Sequence, residues 1–283
     1  MRFNNYKTAA QFSAAVTDTI GRHEIQNNLF YRNIETGLKS ADNSNMVMAT
    51  VTDDRGKILL TVVQTPPNPL LVYATDNKYD EETLSFLAGS LIKKGIELNI
   101  TMSDKGLAKT LTDIYTGMTG KSFYVHENLV LYTIDKVNEL TMPSGYFRRA
   151  EPSELYYLSY WAADFIPACH LGDYNLETGR NAAKRLIDEG GLYVWVDKTP
   201  VSAAAYVRST PNCAFIGQVY TPPHLRGKGY STACVSHLTH KLLNEGFSKC
   251  GLYADCANPY SNKVYRKIGY EAVFYYDQYR QNN

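Results

Sequence analysis

The sequence predicts an α+β (mixed α/β) protein built as two halves that share one order of elements. The first observation is that each half opens with two helical patterns, in which apolar residues recur every three or four positions. The second is a set of strand-like apolar runs after these helices, separated by turns rich in proline, glycine and aspartate. The third is that both halves continue as helix, strand, helix and strand. We therefore expect two copies of one αβ plan, although the halves are not a sequence repeat.

In the first half, two helices are followed by the strand-like runs MVMATVT, ILLTVVQ and LLVYATD, with the turns DDRGK and TPPNP between them. The other predicted elements are helices over 9–20, 25–38 and 81–94, a short strand over 98–101, and a helix that Ser103 or Asp104 would cap. The run KSFYVHENLVLYTID is interpreted as a hairpin-like pair of strands.

A domain boundary is predicted in NELTMPSG, residues 138–145, because Pro143 and Gly145 break the pattern there. The second half then repeats the order of the first. Its predicted elements are a strand over 146–149, helices over 152–165 and 176–188, the strands LYVWV, VSAAAYV and CAFIGQVYT, a helix ending near Gly246, the strand CGLYADC, a helix over 259–268 and the strand YEAVFYYD.

Length and composition fit two ordinary globular domains. The 283 residues are 44% hydrophobic and 20% charged, which is enough for two cores and far from the composition of disordered chains. With 29 basic against 28 acidic residues, the formal net charge is +1, so we expect neither nucleic acid nor an anionic membrane as partner. The chain shows no signal-peptide pattern and no window apolar enough to span a membrane, which favours a cytoplasmic protein.

The cysteines give no sign of a metal site. All five lie in the second half, and none forms a C-x-x-C pair. An odd number of cysteines, two of them inside apolar patterns, is typical of reduced thiols in a cytosolic protein. We therefore expect no zinc or other metal.

The segment Thr221–Ser231 (TPPHLRGKGYS) lies where the strand CAFIGQVYT ends and a long amphipathic helix begins. The amides of a first helical turn have no partner inside the helix, and Gly227 and Gly229 let a ligand approach the backbone closely. Arg226 and Lys228 add positive charge, so the junction is suited to an anion such as phosphate.

A solvated surface turn accounts for most isolated R-G-x-G strings, and two known phosphate motifs do not fit. A Walker loop needs Ser or Thr after Gly-Lys, but Lys228 is followed by Gly229. A dinucleotide-binding fingerprint needs a third glycine where Thr232 stands. A second motif is therefore needed to decide between a turn and a phosphate loop.

That second motif follows the strand CGLYADC and consists of Asn258, then Tyr265 seven residues later, then a Gly-Tyr pair. Together with His224–Gly229, which follows the pattern Q/R-x-x-G-x-G/A except at His224, it resembles the GNAT superfamily of acyl-CoA-dependent N-acetyltransferases. The likeness is strongest to a bacterial group of predicted acetyltransferases that carry V-Y-T-P-P-x-x-R-G-x-G-Y and N-P-x-S-N-x-x-Y. It covers residues 145–280 well and the first half only in general plan.

The resemblance implies tandem GNAT-like domains, each with a central mixed, mostly antiparallel sheet flanked by helices. The catalytic, acetyl-CoA-binding domain would be 145–283. The domain 1–140 would be degenerate, because the acidic segment NKYDEETL stands where its coenzyme loop should be. That domain would shape the acceptor pocket, build a homodimer or bind a partner.

The resemblance also implies roles for particular residues, with acetyl-CoA (coenzyme A) as acyl donor. Val219 and Thr221 would pair with the pantetheine arm through their backbone, while Asn258 and Ser261 would hydrogen-bond it. Tyr265 would act as general acid toward the departing thiolate. The residues whose amides would hold the pyrophosphate are Arg226, Gly227, Lys228, Gly229, Tyr230 and Ser231.

The general base and the acceptor stay open at this point. The strand CAFIGQVYT holds neither Glu nor His, and a water chain ending at a backbone carbonyl or at Asp255 is one alternative. Asp164, His170 and Asp173 lie in a segment that usually borders the acceptor pocket in the family, where they could attract a small-molecule or peptide amine. Two other functions compete with acetyl transfer to a primary amine: a non-catalytic coenzyme A-binding sensor or interaction protein, and a glycine-type N-acyltransferase that takes larger acyl groups.

Overall fold

The computed structural model describes residues 1–282 and divides into two units. Unit 1 comprises Met1–Leu129 together with Phe274–Asn283, and unit 2 comprises Val130–Val273. The chain therefore leaves unit 1 ahead of the predicted boundary at 138–145 and returns to it at the C-terminal end. Strands β6 (Phe123–Ile134) and β12 (Glu271–Gln281) each have residues in both units.

Unit 1 follows the predicted order of helices and strands, with one additional strand at its start. Its remaining elements are β1 (Arg2–Asn5), α1 (Ala9–Gly21), α2 (Asn28–Lys39), β2 (Val47–Thr52), β3 (Ile58–Gln64), β4 (Leu70–Ala74), α3 (Glu81–Lys93), β5 (Ile100–Asp104) and α4 (Lys105–Thr119). The strand order is β1-β2-β3-β4-β5-β12-β6. Only β4 and β5 are parallel among the pairs from β1 to β12. The short, polar β1 escaped prediction because it has no apolar run.

Unit 2 repeats this plan. Its remaining elements are β7 (Tyr146–Arg149), a 3-10 turn (Pro152–Glu154), α5 (Leu155–Ala168), α6 (Leu176–Asp188), β8 (Leu192–Asp197), β9 (Thr199–Ser209), β10 (Cys213–Tyr220), a 3-10 turn (Pro223–Leu225), α7 (Tyr230–Asn244), β11 (Lys249–Asp255) and α8 (Pro259–Ile268). The strand order is β7-β8-β9-β10-β11-β6, and β10 and β11 form its parallel pair.

Each unit has its own core. In unit 1, apolar residues of β2 to β4 pack against α3 and α4, with Leu60, Leu84 and Leu107 fully or almost fully buried. In unit 2, α7 and α8 cover one group of strand residues and α5 and α6 cover another. The predicted mixed, mostly antiparallel sheet flanked by helices is therefore confirmed.

The prediction of a hairpin in KSFYVHENLVLYTID was wrong, because residues 123–134 form the single strand β6. Its neighbours in the sheet are β12 and β11, which come from far along the chain. A strand whose partners are distant in sequence needs no turn of its own, and the polar residues His126, Glu127 and Asn128 lie within the strand.

Candidate active site

The two parallel strands of unit 2 separate toward their carboxyl ends. Strands β10 and β11 are paired at three positions, from Cys213 with Lys249 to Phe215 with Gly251. β10 nevertheless continues to Tyr220, and β11 to Asp255. Along these stretches the described residues of the two strands make no pairs with each other, so backbone groups of both strands can bind a ligand that enters between them.

A bulge marks β10 where the strands separate. Gly217 pairs with Ala205, but the next pair is Tyr220 with Ala203, so one extra residue of β10 is accommodated. Gln218, inside the bulge, has φ of 50°, a left-handed conformation that is uncommon for residues other than glycine. Because of the bulge, Val219 is out of register with β9. Val219 is one of the residues predicted to pair with a ligand through its backbone.

The loop after β10 leads into an open helix N-terminus. Gly227 and Gly229 both have positive φ, 81° and 83°, and nothing in the described structure comes within 4 Å of a Cβ built on Gly227. Gly229 is the N-cap of α7 and offers no side-chain cap. The amides of the first turn are therefore left for solvent or an external anion, at the positive end of the helix dipole.

Two side chains of this segment are engaged elsewhere. Arg226 donates from Nε to the Thr221 carbonyl at 2.9 Å, and its guanidinium lies over the Tyr220 ring at 5.9 Å. The Tyr230 hydroxyl donates to Asp197 Oδ2 at 2.7 Å, which lowers the pKa of Asp197. Any contact of Tyr230 with a phosphate would thus be made by its amide, and the Thr221 carbonyl is already an acceptor.

Asn258 is placed at the start of α8. Its Oδ1 accepts from the Ser261 amide at 3.1 Å, so it is the N-cap of the helix. No partner of its Nδ2 is found in residues 1–282, and this group remains available as a donor. The Asn262 side chain bonds to the Asp255 carbonyl at 2.9 Å and ties α8 to the end of β11.

Tyr265 lies two turns further along α8 and is enclosed by aromatic rings. Its ring centroid is 6.0 Å from that of Tyr132 and 6.1 Å from that of Tyr270, and 7% of the residue is exposed. Burial raises its pKa well above the usual tyrosine range, with a smaller contribution from the nearby Cys169 thiol. The described structure contains no hydrogen-bond partner for the Tyr265 hydroxyl. It is a neutral donor that a ligand can use.

The segment predicted to border the acceptor pocket contacts the ends of both strands. On α5, Asp164 accepts at Oδ2 from the Tyr220 hydroxyl at 3.1 Å, and burial together with this bond raises the pKa of Tyr220 to about 12. His170, in the loop after α5, has its Nε2 4.0 Å from Oδ2 of Asp255. Asp173 is exposed and makes no hydrogen bond or ion pair within the described part of the chain.

Sequence reasoning missed two features of this side. A small apolar cleft lies between α5, α6 and the sheet, and its lining includes Trp161, Gln218 and Tyr220. The approach of His170 to Asp255 was also missed, because 85 residues separate them and nothing in the sequence links the two positions. The other predicted site residues lie at the end of β10, on the loop that follows it, in the first turn of α7 or on α8, and which of them bind a ligand stays a prediction.

Comparison with known proteins identifies a domain in the second half of the chain. The family model described as Acetyltransferase (GNAT) family matches residues 152–270. The resemblance seen in the sequence is therefore confirmed, and the chain carries an acetyltransferase domain of the GNAT family. No curated protein matches the chain in sequence.

Solved structures of this family resemble the chain over its whole length. A GCN5-related N-acetyltransferase from Sphaerobacter thermophilus has a TM-score of 0.67 at 13% identity, with 99% of this chain and 95% of that chain covered. A GNAT-family acetyltransferase from Colwellia psychrerythraea has a TM-score of 0.60 at 11% identity, with both chains covered to 100%. A tandem GNAT protein from the clavulanic acid biosynthesis pathway has a TM-score of 0.52 at 10% identity, with 99% and 98% covered. At such identities these likenesses show the fold alone.

Residues 1–282 contain neither a candidate membrane span nor a candidate metal site. Among residues 1–282 no helix is both long and apolar enough to cross a membrane. Over the same residues, no group of three or more His, Cys, Asp and Glu side chains is arranged so that it could hold a metal ion.

Proposed function

We propose that the protein is an acyl-CoA-dependent N-acyltransferase that moves an acetyl group from acetyl-CoA to a primary amine, with both substrates bound at once. The observation that carries this proposal is the Tyr265 hydroxyl, which is enclosed, neutral and without a hydrogen-bond partner in the described structure. A purely structural buried tyrosine normally has a partner for its hydroxyl, as Tyr270 has in Thr239 at 2.8 Å. Tyr265 is therefore suited to donate to a substrate atom.

The coenzyme fits the residues present. Acetyl-CoA supplies an activated acyl group as a thioester, and the uncapped N-terminus of α7 behind Gly227 and Gly229 suits its diphosphate. The Val219 and Thr221 amides would align the pantetheine arm, and Asn258 Nδ2 with Ser261 would hold it further along. Holding both reactants in one geometry contributes most of the rate acceleration in such a reaction.

The reaction needs one group that donates a proton and one group that accepts a proton, and unit 2 offers a candidate for each. Tyr265 would protonate the departing sulfur, since a phenol with a raised pKa keeps its proton at neutral pH. The proton of the attacking amine would pass to His170, whose Nε2 lies 4.0 Å from Oδ2 of Asp255. His170 lies in the loop next to Cys169, which is close enough to Tyr265 to affect its pKa.

The role of His170 can be tested with two variants of one loop. His170→Ala should lower kcat about 100-fold, and added imidazole should restore part of the rate. Asp173→Asn, in the same loop, should retain the wild-type rate. If His170→Ala keeps the wild-type kcat, the base is a different group.

The function itself is tested by following free thiol while the full chain is mixed with acetyl-CoA and a panel of primary amines, small molecules and peptides. We expect thiol release that requires an amine. If acetyl-CoA binds with no release for any amine, the protein is a coenzyme A-binding sensor or interaction protein. Faster turnover of benzoyl-CoA than of acetyl-CoA would favour the glycine-type alternative.

For unit 1 we propose a GNAT-like domain that does not bind the coenzyme, and for the whole chain a homodimer. The first proposal is supported by the acidic, glycine-free junction between β4 and α3. Titration of acetyl-CoA should therefore give one site per chain, and sedimentation should give twice the chain mass of 31.9 kDa. Two coenzyme sites per chain, or a monomer at all concentrations, would contradict the respective proposal.

A further inference from the structure

Unit 1 contains a cavity of its own, and it is larger than the cleft of unit 2. The cavity has a volume of about 70 Å³, compared with about 20 Å³ for the cleft. It lies at the carboxyl ends of the parallel strands β4 and β5, which pair only from Leu70 with Thr101 to Leu71 with Met102. A buried water needs about 10–15 Å³, so the space corresponds to roughly five water molecules.

The walls of this cavity are mostly apolar and phenolic, and the polar residues Gln26, Asn27, Asn77 and Ser103 also line it. Leu29 and Phe30 of α2 face it, together with Met102 of β5. Tyr276 of β12 lines it too, and its hydroxyl donates to the Gln26 carbonyl at 2.6 Å. Such walls suit the apolar body of a small molecule.

One charged side chain lines the cavity, and half of its carboxylate is unused. Oδ1 of Asp104 caps α4 by accepting from the amides of Gly106 at 3.0 Å and Leu107 at 3.3 Å. Oδ2 of Asp104 has no hydrogen-bond partner among residues 1–282. Because the helix amides bond to Oδ1 alone, Oδ2 can still accept a hydrogen bond, and the negative charge of the carboxylate favours a cationic donor.

The Tyr79 hydroxyl lies beside this carboxylate and also lacks a hydrogen-bond partner in the described residues. A Cβ built on Gly106 would be 2.6 Å from the Tyr79 oxygen, so Gly106 leaves just the space that the phenol occupies. Burial raises the pKa of Tyr79, and the negative charge of Asp104 raises it further. The phenol oxygen of Tyr79 and the carboxylate of Asp104 therefore both lie near Gly106 and line the cavity.

The cavity is unsuited to anions. No Lys or Arg side chain lines it. The helix that follows β4 is capped by Asp80, whose Oδ1 accepts from the Thr83 amide at 2.7 Å, and Glu81 and Glu82 occupy its first turn. A phosphate or carboxylate brought here would meet uncompensated negative charge.

We infer that the cavity of unit 1 binds a small primary ammonium ion with a short apolar chain. The ammonium group contacts Asp104 Oδ2 and the Tyr79 oxygen, and the apolar chain packs between Phe30 and Met102. An ammonium ion supplies three donors and a full charge, which the two open acceptors require. The site is separate from the acyl-transfer site of unit 2 and does not rest on that function.

Calorimetry on the full chain tests this with three probes of similar shape: n-butylammonium, n-butanol and n-butyrate. We expect butylammonium to bind. Butanol should bind at least about tenfold more weakly, and butyrate should not bind. Equal affinity for butanol and butylammonium would overturn the assignment of charge, and binding of butyrate would overturn the proposal as a whole.

Variants locate the bound ion. Asp104→Asn keeps a residue that caps helices well, so the fold should be retained. Butylammonium should bind to this variant at least about tenfold more weakly than to the wild type. Asp80→Asn, at the other capped helix of unit 1, should leave the affinity unchanged. Asp164→Asn, which removes a carboxylate predicted to attract an amine in unit 2, should also leave the affinity for butylammonium unchanged, which separates this site from an amine site in unit 2. Wild-type affinity in Asp104→Asn would show that the ion binds elsewhere.

Discussion

Each unit contains a pair of parallel strands that separate toward their carboxyl ends. The two units differ in the segment that links the first of these strands to the next helix. In unit 1, six residues (75–80) link β4 to α3, and the helix is capped by its own Asp80 carboxylate. In unit 2, nine residues (221–229) link β10 to α7, and the N-cap is Gly229, without a side-chain cap. One helix N-terminus is filled from within the chain, and the other is left for an external anion.

The helices after the second parallel strand differ in a corresponding way. Both begin with a side-chain cap, Asp104 in α4 and Asn258 in α8. Seven residues further along, unit 1 has Leu111, which is fully buried, and unit 2 has Tyr265. The fold thus supplies two places where strands separate, and a few residues at the strand ends determine which ligand each place suits.

The largest effect is expected at Tyr265, the residue that most distinguishes α8 from α4. Tyr265→Phe removes the hydroxyl while keeping the ring that packs against Tyr132 and Tyr270. We expect kcat to fall about 100- to 10,000-fold with unchanged acetyl-CoA affinity, because general acid catalysis contributes on that order. Steady-state kinetics and calorimetry measure the two quantities.

The control for this prediction is Tyr270→Phe. The Tyr270 hydroxyl is hydrogen-bonded to Thr239 inside the core, so its loss should reduce stability by about 1 kcal/mol and leave kcat unchanged. Wild-type turnover in Tyr265→Phe would contradict the assignment of the general acid.

The next effect concerns the open helix N-terminus of α7. Gly229→Asp gives this helix the carboxylate cap that Asp80 gives α3, and Asp and Asn both tolerate the left-handed conformation of residue 229. We expect Gly229→Asp to weaken acetyl-CoA binding about tenfold or more, through repulsion of the diphosphate. The comparison with Gly229→Asn, which has the same shape without the charge, isolates this repulsion. Equal affinities of the two variants would mean that no phosphate sits at this helix.

Local sequence was sufficient to predict most of the fold, and it named candidate site residues whose roles stay predictions. Periodicity located the helices, and Gly227, Gly229, Asn258 and Tyr265 are short-range patterns that belong to single elements. The single strand β6 could not be predicted, because its partners β11 and β12 lie more than 110 residues away. A pattern that records only neighbours along the chain contains no information about such pairing.

Two features of the sites also depend on contacts between distant parts of the chain, so the sequence did not reveal them. The approach of His170 to Asp255 depends on the course of the loop after α5. The cavity of unit 1 depends on Asp104, which the sequence indicates as a helix cap, and on Tyr276, which belongs to the last strand of the chain. An N-cap can be predicted from residue type, but whether its second oxygen faces a cavity is a property of the tertiary structure.

A smaller effect is expected at Asn258, where the two units carry caps of different charge. Asn258→Asp reproduces the cap of α4 and keeps α8 intact, but it replaces the Nδ2 donor with an acceptor. We expect the KM for acetyl-CoA to rise about three- to tenfold, because the loss of one hydrogen bond weakens binding by about that factor, and we expect kcat to change less. An unchanged KM would mean that Asn258 caps its helix and does nothing more.

The smallest effect is expected in unit 1, where Asp80→Ala should reduce the free energy of unfolding by about 1 kcal/mol and leave acetyl-CoA affinity unchanged. Hydrogen bonds from the Thr83 side chain and backbone lower the pKa of Asp80 below the usual value of an aspartate. The cap therefore stabilises the folded state fully above the usual aspartate pKa and loses this contribution as the pH falls through the lower, folded-state pKa. Denaturant unfolding of both proteins at pH 7 and near pH 3 should show the difference shrinking in acid. A difference that is constant with pH, or a change in acetyl-CoA affinity, would show that Asp80 does more than fill the helix end that unit 2 leaves open.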